Sequence, residues 1–220
     1  MYKFTRLLSL KTNTLGRDFA VGDIHGHITK LFDQLEKISF DFSRDRLICV
    51  GDLIDRGPES SLALDLMNQD WFFSVLGNHE YLMLSALKYK NSEHRLTWIS
   101  NGGDWIVSTD PGDWAAWFNQ IEKMPLAIEV TSKSGLKYGV IHADYSCSSW
   151  LDITDLSEEE IFRAIWSRSS FQKKDDFVVS DIDLIVHGHN IHEGELQLGN
   201  RLYIDQGAYL GNNFIIKELV

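Results

Sequence analysis

The segment LICVGDLIDRG, residues 47–57, decides the predicted fold of this chain. It opens with four apolar residues, two of them β-branched, and a short run of this kind is typical of a buried strand. Glycine, two aspartates and an arginine follow the run, so chemically active side chains stand where the strand ends. In α/β proteins, ligands bind in loops beyond the carboxyl ends of strands. The segment therefore predicts a strand that leads into a functional loop.

Four other apolar runs have the same design. They span residues 19–22, 72–77, 138–141 and 184–186, and groups that can bind a metal follow each within three residues. Loops at the carboxyl ends of neighbouring strands converge on one crevice, so we expect these groups to form one site. The groups after all five runs are Asp23, His25, Asp52, Asn78, His142, Asp144, His187 and His189.

Apolar residues with helical spacing occupy the stretches between the early strands. The sets that share a face are Ile28, Leu31, Phe32, Leu35 and Ile38; Leu62, Leu66 and Met67; and Leu82, Leu84 and Leu87. Strand and helix in alternation predict a layered α/β domain. Further strand candidates lie at 126–130, 202–205 and 214–217, so we expect a sandwich of two mixed sheets flanked by helices.

Length favours one domain over residues 1–220, since two would each be small. Within it, residues 94–125 differ from the rest, because they hold four tryptophans and the turn Asn101-Gly102-Gly103-Asp104. We expect this segment to form a small helical cap. Its tryptophans either pack in the interior or offer a stacking surface to a nucleotide base.

The composition constrains partners and location. The 32 acidic residues outnumber the 21 Lys and Arg and give a net charge of −11, which argues against binding nucleic acid or a membrane surface. The first residues show no signal peptide, and no stretch has the length of a membrane span. Two distant cysteines, Cys49 and Cys147, form no disulfide framework, as expected of a cytoplasmic protein.

The donor set predicts the kind of metal site. Carboxylate oxygen and imidazole nitrogen without thiolate suit Mn, Fe, Zn or Ni better than Ca. Six side chains are too many for one catalytic ion with open positions, and a carboxylate such as Asp52 can bridge two ions. A pair of ions would polarise phosphoryl oxygens and generate hydroxide from water at neutral pH. Such a site is net positive and attracts a phosphate dianion.

Hydrolysis of a phosphate ester also requires a proton for the leaving oxygen. His79, beside Asn78, is the predicted general acid, and Asp55 is placed to orient it and raise its pKa. Arg56 offers a planar fork to phosphate oxygens. Arg168 is a second phosphate-binding candidate; the alternative is an ordinary arginine on the solvated face of a helix.

These residues resemble a known pattern. Residues 22–26, 51–57 and 77–80 carry the signature GD-x-HG, GD-x-x-DRG, GNHE of the metallophosphoesterases, and specifically of the phosphoprotein phosphatase branch. The chain is similar to the compact bacteriophage lambda type of serine/threonine phosphatase, and the similarity extends through residues 142–145, 165–168, 188–189 and 203–205. Ile191 breaks the Gly-His-x-His pattern of the phosphodiesterase branches, which favours the phosphoprotein phosphatase branch.

The resemblance implies a four-layer α/β/β/α sandwich with two divalent ions, typically manganese. It implies that Asp23 and His25 bind the first ion, that Asp52 bridges, and that Asn78, His142 and a late histidine bind the second. His189 matches the family position, which leaves His187 a structural or supporting role. His79 would be the acid paired with Asp55, and Arg56 with Arg168 would hold the phosphate of phosphoserine, phosphothreonine or, in some members, phosphotyrosine.

Two other functions fit the same residues less well. A diadenosine tetraphosphate hydrolase is similar across these motifs, with substrate choice then residing in the cap and in residues 145–155. A metal-free binding module that kept the fold is the other alternative, although every predicted ligand and His79 are intact.

Overall fold

The computed structural model describes residues 4–220, which form two β-sheets with helices around them. The strands are β1 (Leu7–Leu10), β2 (Asp18–Val21), β3 (Arg46–Cys49), β4 (Phe72–Ser74), β5 (Ala127–Thr131), β6 (Lys137–Ile141), β7 (Leu184–His187), β8 (Leu196–Leu198), β9 (Arg201–Tyr203) and β10 (Ile216–Glu218). The helices are α1 (Ile28–Lys37), α2 (Ser60–Asp65), α3 (Asn78–Met83), α4 (Ser92–Ser100), α5 (Trp114–Lys123), α6 (Glu158–Trp166) and α7 (Ser169–Lys173).

Both sheets are mixed. The larger has the order β1-β5-β6-β7-β9-β8, with β5 antiparallel to β6 and β7 parallel to both β6 and β9. The smaller has the order β10-β2-β3-β4, in which β2, β3 and β4 run parallel and β10 runs against β2. The predicted α/β fold with two mixed sheets flanked by helices is confirmed.

Alternate residues of the central strands enter two different cores. Ala20 and Ile48 of the smaller sheet pack with Val140 and Val186 of the larger, in the apolar layer between the sheets. Their neighbours in sequence, such as Phe19 and Leu47, point the other way and join the helices. This period of two is the geometry of a strand. These strands are therefore hydrophobic on both faces of each sheet, and the polar site residues lie in the loops that follow the strand ends.

All eight predicted strands are present, with shifted ends, whereas β1 and β8 were not predicted. Leu7–Leu10 lacks clear alternation, and β8 has only three residues. Two members of the predicted apolar helix faces are exposed: Phe32 is 39% exposed and Leu62 is 52% exposed. Phe32 lies on the rim of its helix face, where it stacks against Phe42 at 5.7 Å rather than entering the core.

The segment predicted as a cap is helical. Asn91 is the N-cap of α4: its side chain accepts the amide protons of Glu93 and His94 at 3.0 Å. A 3₁₀ segment (Gly103–Ser108) and α5 follow, and Trp98 and Trp117 are buried among them. Across residues 4–220, no helix has the length and apolar character needed to cross a membrane.

Candidate metal centre

Six of the eight polar groups predicted from the five strand ends meet around one cleft, namely Asp23, His25, Asp52, Asn78, His142 and His189. Asp144 instead accepts hydrogen bonds from Ser167 and Ser170. The groups after β2, β3 and β4 come from the smaller sheet, and those after β6 and β7 come from the larger. The backbone joins them: the amide of His189 donates to the carboxylate of Asp23 at 3.1 Å, and the amide of Ile24 donates to the carbonyl of Asp52 at 3.1 Å. The cleft therefore lies where loops from both sheets meet, and not at the strand ends of one sheet alone.

The loops that carry these groups are held in an uncommon backbone conformation. Left-handed φ angles of a non-glycine residue cost energy and cluster at functional sites. Five predicted site residues have such angles, between 44° and 73°; they are His25, Asp52, Asp55, Arg56 and His189. Two glycines permit the close approach of the loops, because a Cβ on Gly77 would collide with Oδ1 of Asp52 and one on Gly188 with Oδ1 of Asp23.

Asp52 is the centre of the arrangement. Two groups of three side chains could each hold a metal ion, with ligand atoms within 4.8 Å of one another, and Asp52 belongs to both. Its Oδ2 lies 3.8 Å from Nε2 of His25 and 3.8 Å from Nε2 of His79, while its Oδ1 lies 3.4 Å from Nε2 of His142. His189 completes the second group. A carboxylate that faces two groups with different oxygens suits a bridging role.

Hydrogen bonds to the backbone fix the orientation of two histidines. Nδ1 of His25 lies 2.9 Å from the carbonyl of Ile54, and Nδ1 of His142 lies 2.7 Å from the carbonyl of Val50. A carbonyl accepts only, so each Nδ1 carries a proton and Nε2 faces the cleft, the usual geometry of a metal-binding histidine.

The atoms that meet at His142 are electron-pair donors. Its Nε2 lies 3.0 Å from Oδ1 of Asn78 and close to Asp52. Burial lowers the pKa of His142, but the charge of Asp52 and the hydrogen bonds to Asp52 and to the Val50 carbonyl together raise that pKa above its usual value. Imidazole nitrogen, amide oxygen and carboxylate oxygen thus converge at this point. The donor set therefore fits a metal ion.

Buried carboxylates point to the same conclusion. Burial, followed by the charges of Asp205 and Asp52, raises the pKa of Asp23 well above its usual value. Burial likewise raises the pKa of Asp205. Three buried carboxylates so close together are costly unless cations neutralise them. Asp23 lies outside both groups of three, although it lines the same cleft.

His79 and Asp55 form a buried pair. Nδ1 of His79 lies 2.6 Å from Oδ2 of Asp55, and its Nε2 faces the cleft. Burial lowers the pKa of His79, but the charge of Asp52 and the hydrogen bond and charge of Asp55 together raise that pKa above its usual value. The structure thus brings together the two residues that the sequence predicted as a proton donor and its partner.

Two arginines line the cleft, which has a volume of about 210 Å³. Nη1 of Arg56 lies 2.7 Å from Nε2 of His25, and its guanidinium stacks 4.4 Å from the ring centre of Tyr209. Nη1 of Arg168 donates to the carbonyl of His189 at 2.6 Å. Arg168 follows α6 and points into the cleft rather than standing on a solvated helix face.

His187 lies apart from these groups. Its ring is buried and stacks on Tyr203 with centroids 5.0 Å apart. Burial, and then the charge of Arg201, lowers its pKa to about 3. It is a neutral packing residue beside the centre.

Comparison with known proteins identifies the family. Residues 19–206 match calcineurin-like phosphoesterases. This chain belongs to that family. Serine/threonine-protein phosphatase 2 of Escherichia coli (strain K12) is 34% identical over 210 residues, which cover 93% of this chain and 93% of that protein. The family predicted from the motifs is confirmed.

Other relatives of this phosphoesterase carry a different name. The symmetrical bis(5'-nucleosyl)-tetraphosphatase of Thioalkalivibrio sulfidiphilus is 45% identical over 69 residues, which are 30% of this chain and 26% of that protein. The crystal structure of a candidate diadenosine tetraphosphatase matches 98% of each chain with a TM-score of 0.70 and 22% identity. At that identity the likeness establishes the fold only.

The chain is thus a metallophosphoesterase with two groups of residues able to hold divalent ions. Asp205 was predicted to end a strand and to belong to the family pattern, but not to lie in the site; it follows β9 by two residues. Sequence reasoning missed the tryptophans that contact Asp55, because sequence spacing does not show where an indole N–H points. Trp98 and Trp105 donate to Asp55 at 2.7 Å each.

Proposed function

We propose that this metallophosphoesterase hydrolyses phosphoserine and phosphothreonine in proteins, with phosphotyrosine as a further substrate. The observation that best supports the proposal is the position of Asp52 between two metal-binding groups and beside the His79–Asp55 pair. Both arginines line the same cleft, so a phosphate there meets positive charge. Electrostatic complementarity and a placed proton donor are what a phosphoryl transfer requires.

The metal ligands would divide into two sets. Asp23, His25 and Asp52 would hold one ion, and Asp52, Asn78, His142 and His189 would hold the other. Bound divalent ions supply Lewis acidity to the phosphoryl oxygens and lower the pKa of water. The carboxylate and imidazole ligands without thiolate suit Mn, Fe, Zn or Ni, and manganese is the metal that the family resemblance implies. We place the enzyme in the cytoplasm, because its two distant cysteines form no disulfide framework.

The side chains themselves perform the remaining tasks. His79 donates the proton from Nε2 to the leaving oxygen, and Asp55 holds the ring through Nδ1 at 2.6 Å. Arg56 and Arg168 bind the non-bridging oxygens with planar guanidinium groups. Tyr209 supports the Arg56 guanidinium from one face, and the His189 carbonyl holds Arg168. Each group that contacts phosphate is therefore held by a second residue.

Two observations favour a protein substrate over a dinucleotide. The relatives named protein phosphatases align along 91–93% of this chain, whereas the tetraphosphatase named above aligns along 30%. The cap tryptophans are also occupied: Trp98 is fully buried, Trp117 is 7% exposed, and Trp105 bonds to Asp55. Their rings are packed rather than displayed to a nucleotide base. A dinucleotide hydrolase remains the second candidate, because of its likeness in fold.

The decisive experiment uses metal-stripped protein restored with Mn, Ni, Zn or Mg. Substrates are a phosphothreonine peptide, p-nitrophenyl phosphate and diadenosine tetraphosphate. We expect manganese to restore peptide turnover, and Asp52→Asn and His79→Asn to lower kcat by roughly 100-fold or more. Asp33→Asn, at an exposed position of α1, is the matched control and should leave turnover unchanged.

Other outcomes would name a different function. Turnover of the dinucleotide but not the peptide would establish the tetraphosphatase. A folded protein that retains no metal and turns over no substrate would be a binding module, and the proposal would be wrong.

A further inference from the structure

The carboxylate of Asp55 receives three N–H donors. Nε1 of Trp105 donates to Oδ1 at 2.7 Å, Nε1 of Trp98 donates to Oδ2 at 2.7 Å, and Nδ1 of His79 lies 2.6 Å from the same Oδ2. Asp55 is fully buried. Both indoles come from the segment predicted as a cap, 43 and 50 residues further along the chain. The helical segment is thus bonded to the partner of the general acid.

The backbone of the segment is built around this contact. A Cβ on Gly103 would collide with the ring of Trp98, so the glycine lets the indole lie flat against the turn. Gly102 adopts a left-handed φ of 101°, and its carbonyl accepts the amide of Arg56 at 3.4 Å. The turn therefore packs directly on the loop that carries Asp55 and Arg56.

Two donors on different oxygens restrict the carboxylate more than one donor would. A carboxylate bonded only to His79 could rotate about its Cβ–Cγ bond, and the imidazole could turn with it. Trp105 and Trp98 fix both oxygens, so the plane of the carboxylate is set independently of His79. Hydrogen bonds that a carboxylate accepts also favour its charged form. The pair of indoles therefore keeps Asp55 in the orientation that aims Nε2 of His79 into the cleft.

We propose that Trp105 and Trp98 are positioning residues for the general acid, acting through Asp55. This inference rests on the proposed function, since it assumes that His79 donates a proton to the leaving oxygen. This role differs from both roles considered for the tryptophans from the sequence, which were packing in the interior and stacking on a nucleotide base. The indole N–H, rather than the aromatic ring, is the part that matters.

Trp105→Phe is the test, because it keeps an aromatic ring and removes the donor. Phenyl phosphate has a poor leaving group that needs protonation, whereas p-nitrophenyl phosphate needs it much less. With the manganese enzyme we expect Trp105→Phe to lower kcat for phenyl phosphate by roughly tenfold and for p-nitrophenyl phosphate by less than about twofold. His79→Asn should show the same selectivity with a larger loss.

Trp114→Phe is the matched control. Its indole donates to Thr109 at 2.9 Å instead of Asp55, and Trp114 is half-buried like Trp105. It should change neither substrate's kcat selectively. Trp98 is fully buried, so Trp98→Phe is interpreted only if circular dichroism and thermal unfolding show a folded protein.

A double-mutant cycle separates positioning from general damage. In an Asp55→Asn background, Trp105→Phe should cause no further selective loss, because the indole acts through the carboxylate. An equal loss on both substrates, the same selectivity in Trp114→Phe, or a selective loss that persists without the carboxylate would overturn the inference. Failure of the proposed function looks different, since the unmodified manganese enzyme would then not hydrolyse the phosphothreonine peptide.

Discussion

Glu80 accepts the backbone amide proton of Asp52 at 3.0 Å. The same oxygen accepts the amide of Gly77 at 3.1 Å, and the other carboxylate oxygen accepts the amides of Leu53 at 2.8 Å and Ile54 at 3.2 Å. Glu80 is fully buried. One side chain therefore joins the loop after β3 to the loop after β4, and so holds Asp52 in register with Asn78.

Glu80→Gln is expected to lower the free energy of unfolding by about 2–4 kcal/mol. Glutamine has one accepting oxygen, so its NH₂ group would face two backbone N–H donors in a buried site. Urea unfolding of metal-free protein measures the change. Glu36→Gln, at an exposed position of α1, is the control. If both variants unfold at the same urea concentration, Glu80 does not stabilise the loops.

The pair Arg17–Asp45 should make stability depend on pH. Burial would raise the pKa of Asp45, but hydrogen bonds from the side chain and amide of Arg17 outweigh burial and hold the pKa below its usual value. A lowered pKa means that the charged form stabilises the fold. The stabilisation is complete above about pH 4 and is lost as the pH falls through the lowered pKa.

Asp45→Asn should therefore cost about 1–2 kcal/mol at pH 7, allowing for solvent screening at the partly exposed Arg17. The difference between the two proteins should shrink below pH 4, as thermal unfolding at several pH values would show. Asp33→Asn serves as the exposed control. A difference that stays constant down to pH 2.5 would contradict the charge-based explanation.

Cys147 should react slowly with iodoacetamide. Burial, followed by the hydrogen bond to Glu160 and its negative charge, raises the pKa of this thiol to about 11. Glu160→Gln removes the charge, lowers the pKa, and should speed alkylation at pH 8 by at least about threefold. Glu159→Gln, 77% exposed on the same helix, should leave the rate unchanged. Equal rates in all three proteins would show that Glu160 does not control the thiol.

Metal removal should destabilise the chain. A metal that binds only the folded state stabilises it by about 2.7 kcal/mol at 100 times its Kd. We expect excess manganese to raise the Tm of stripped protein by several degrees, and we expect Asp52→Asn to abolish most of that rise, because both metal-binding groups share Asp52. Isothermal titration should show correspondingly weaker binding. An undiminished rise in the Asp52→Asn protein would place the manganese elsewhere.

The fold and most residues of the candidate metal centre could be predicted from the sequence because the signals for them are local. A buried strand and the polar residue that follows it are adjacent in the chain, so Asp23, Asp52 and His142 were visible in their local context. The exposure of Phe32 was not readable, because periodicity gives a helix face and not the width of its buried part. Trp105 and Glu80 were missed because their partners lie 50 and 28 residues away. Contacts of that kind depend on tertiary packing, which a local pattern does not contain.

The bond between the His189 amide and Asp23 spans 166 residues. During translation at about 5–20 residues per second, Asp23 would be added to the chain roughly 8 to 33 seconds before His189. Over that interval the first carboxylate exists without the loop that later holds it. The order of synthesis therefore separates the halves of the centre in time, and neither sheet alone can assemble it.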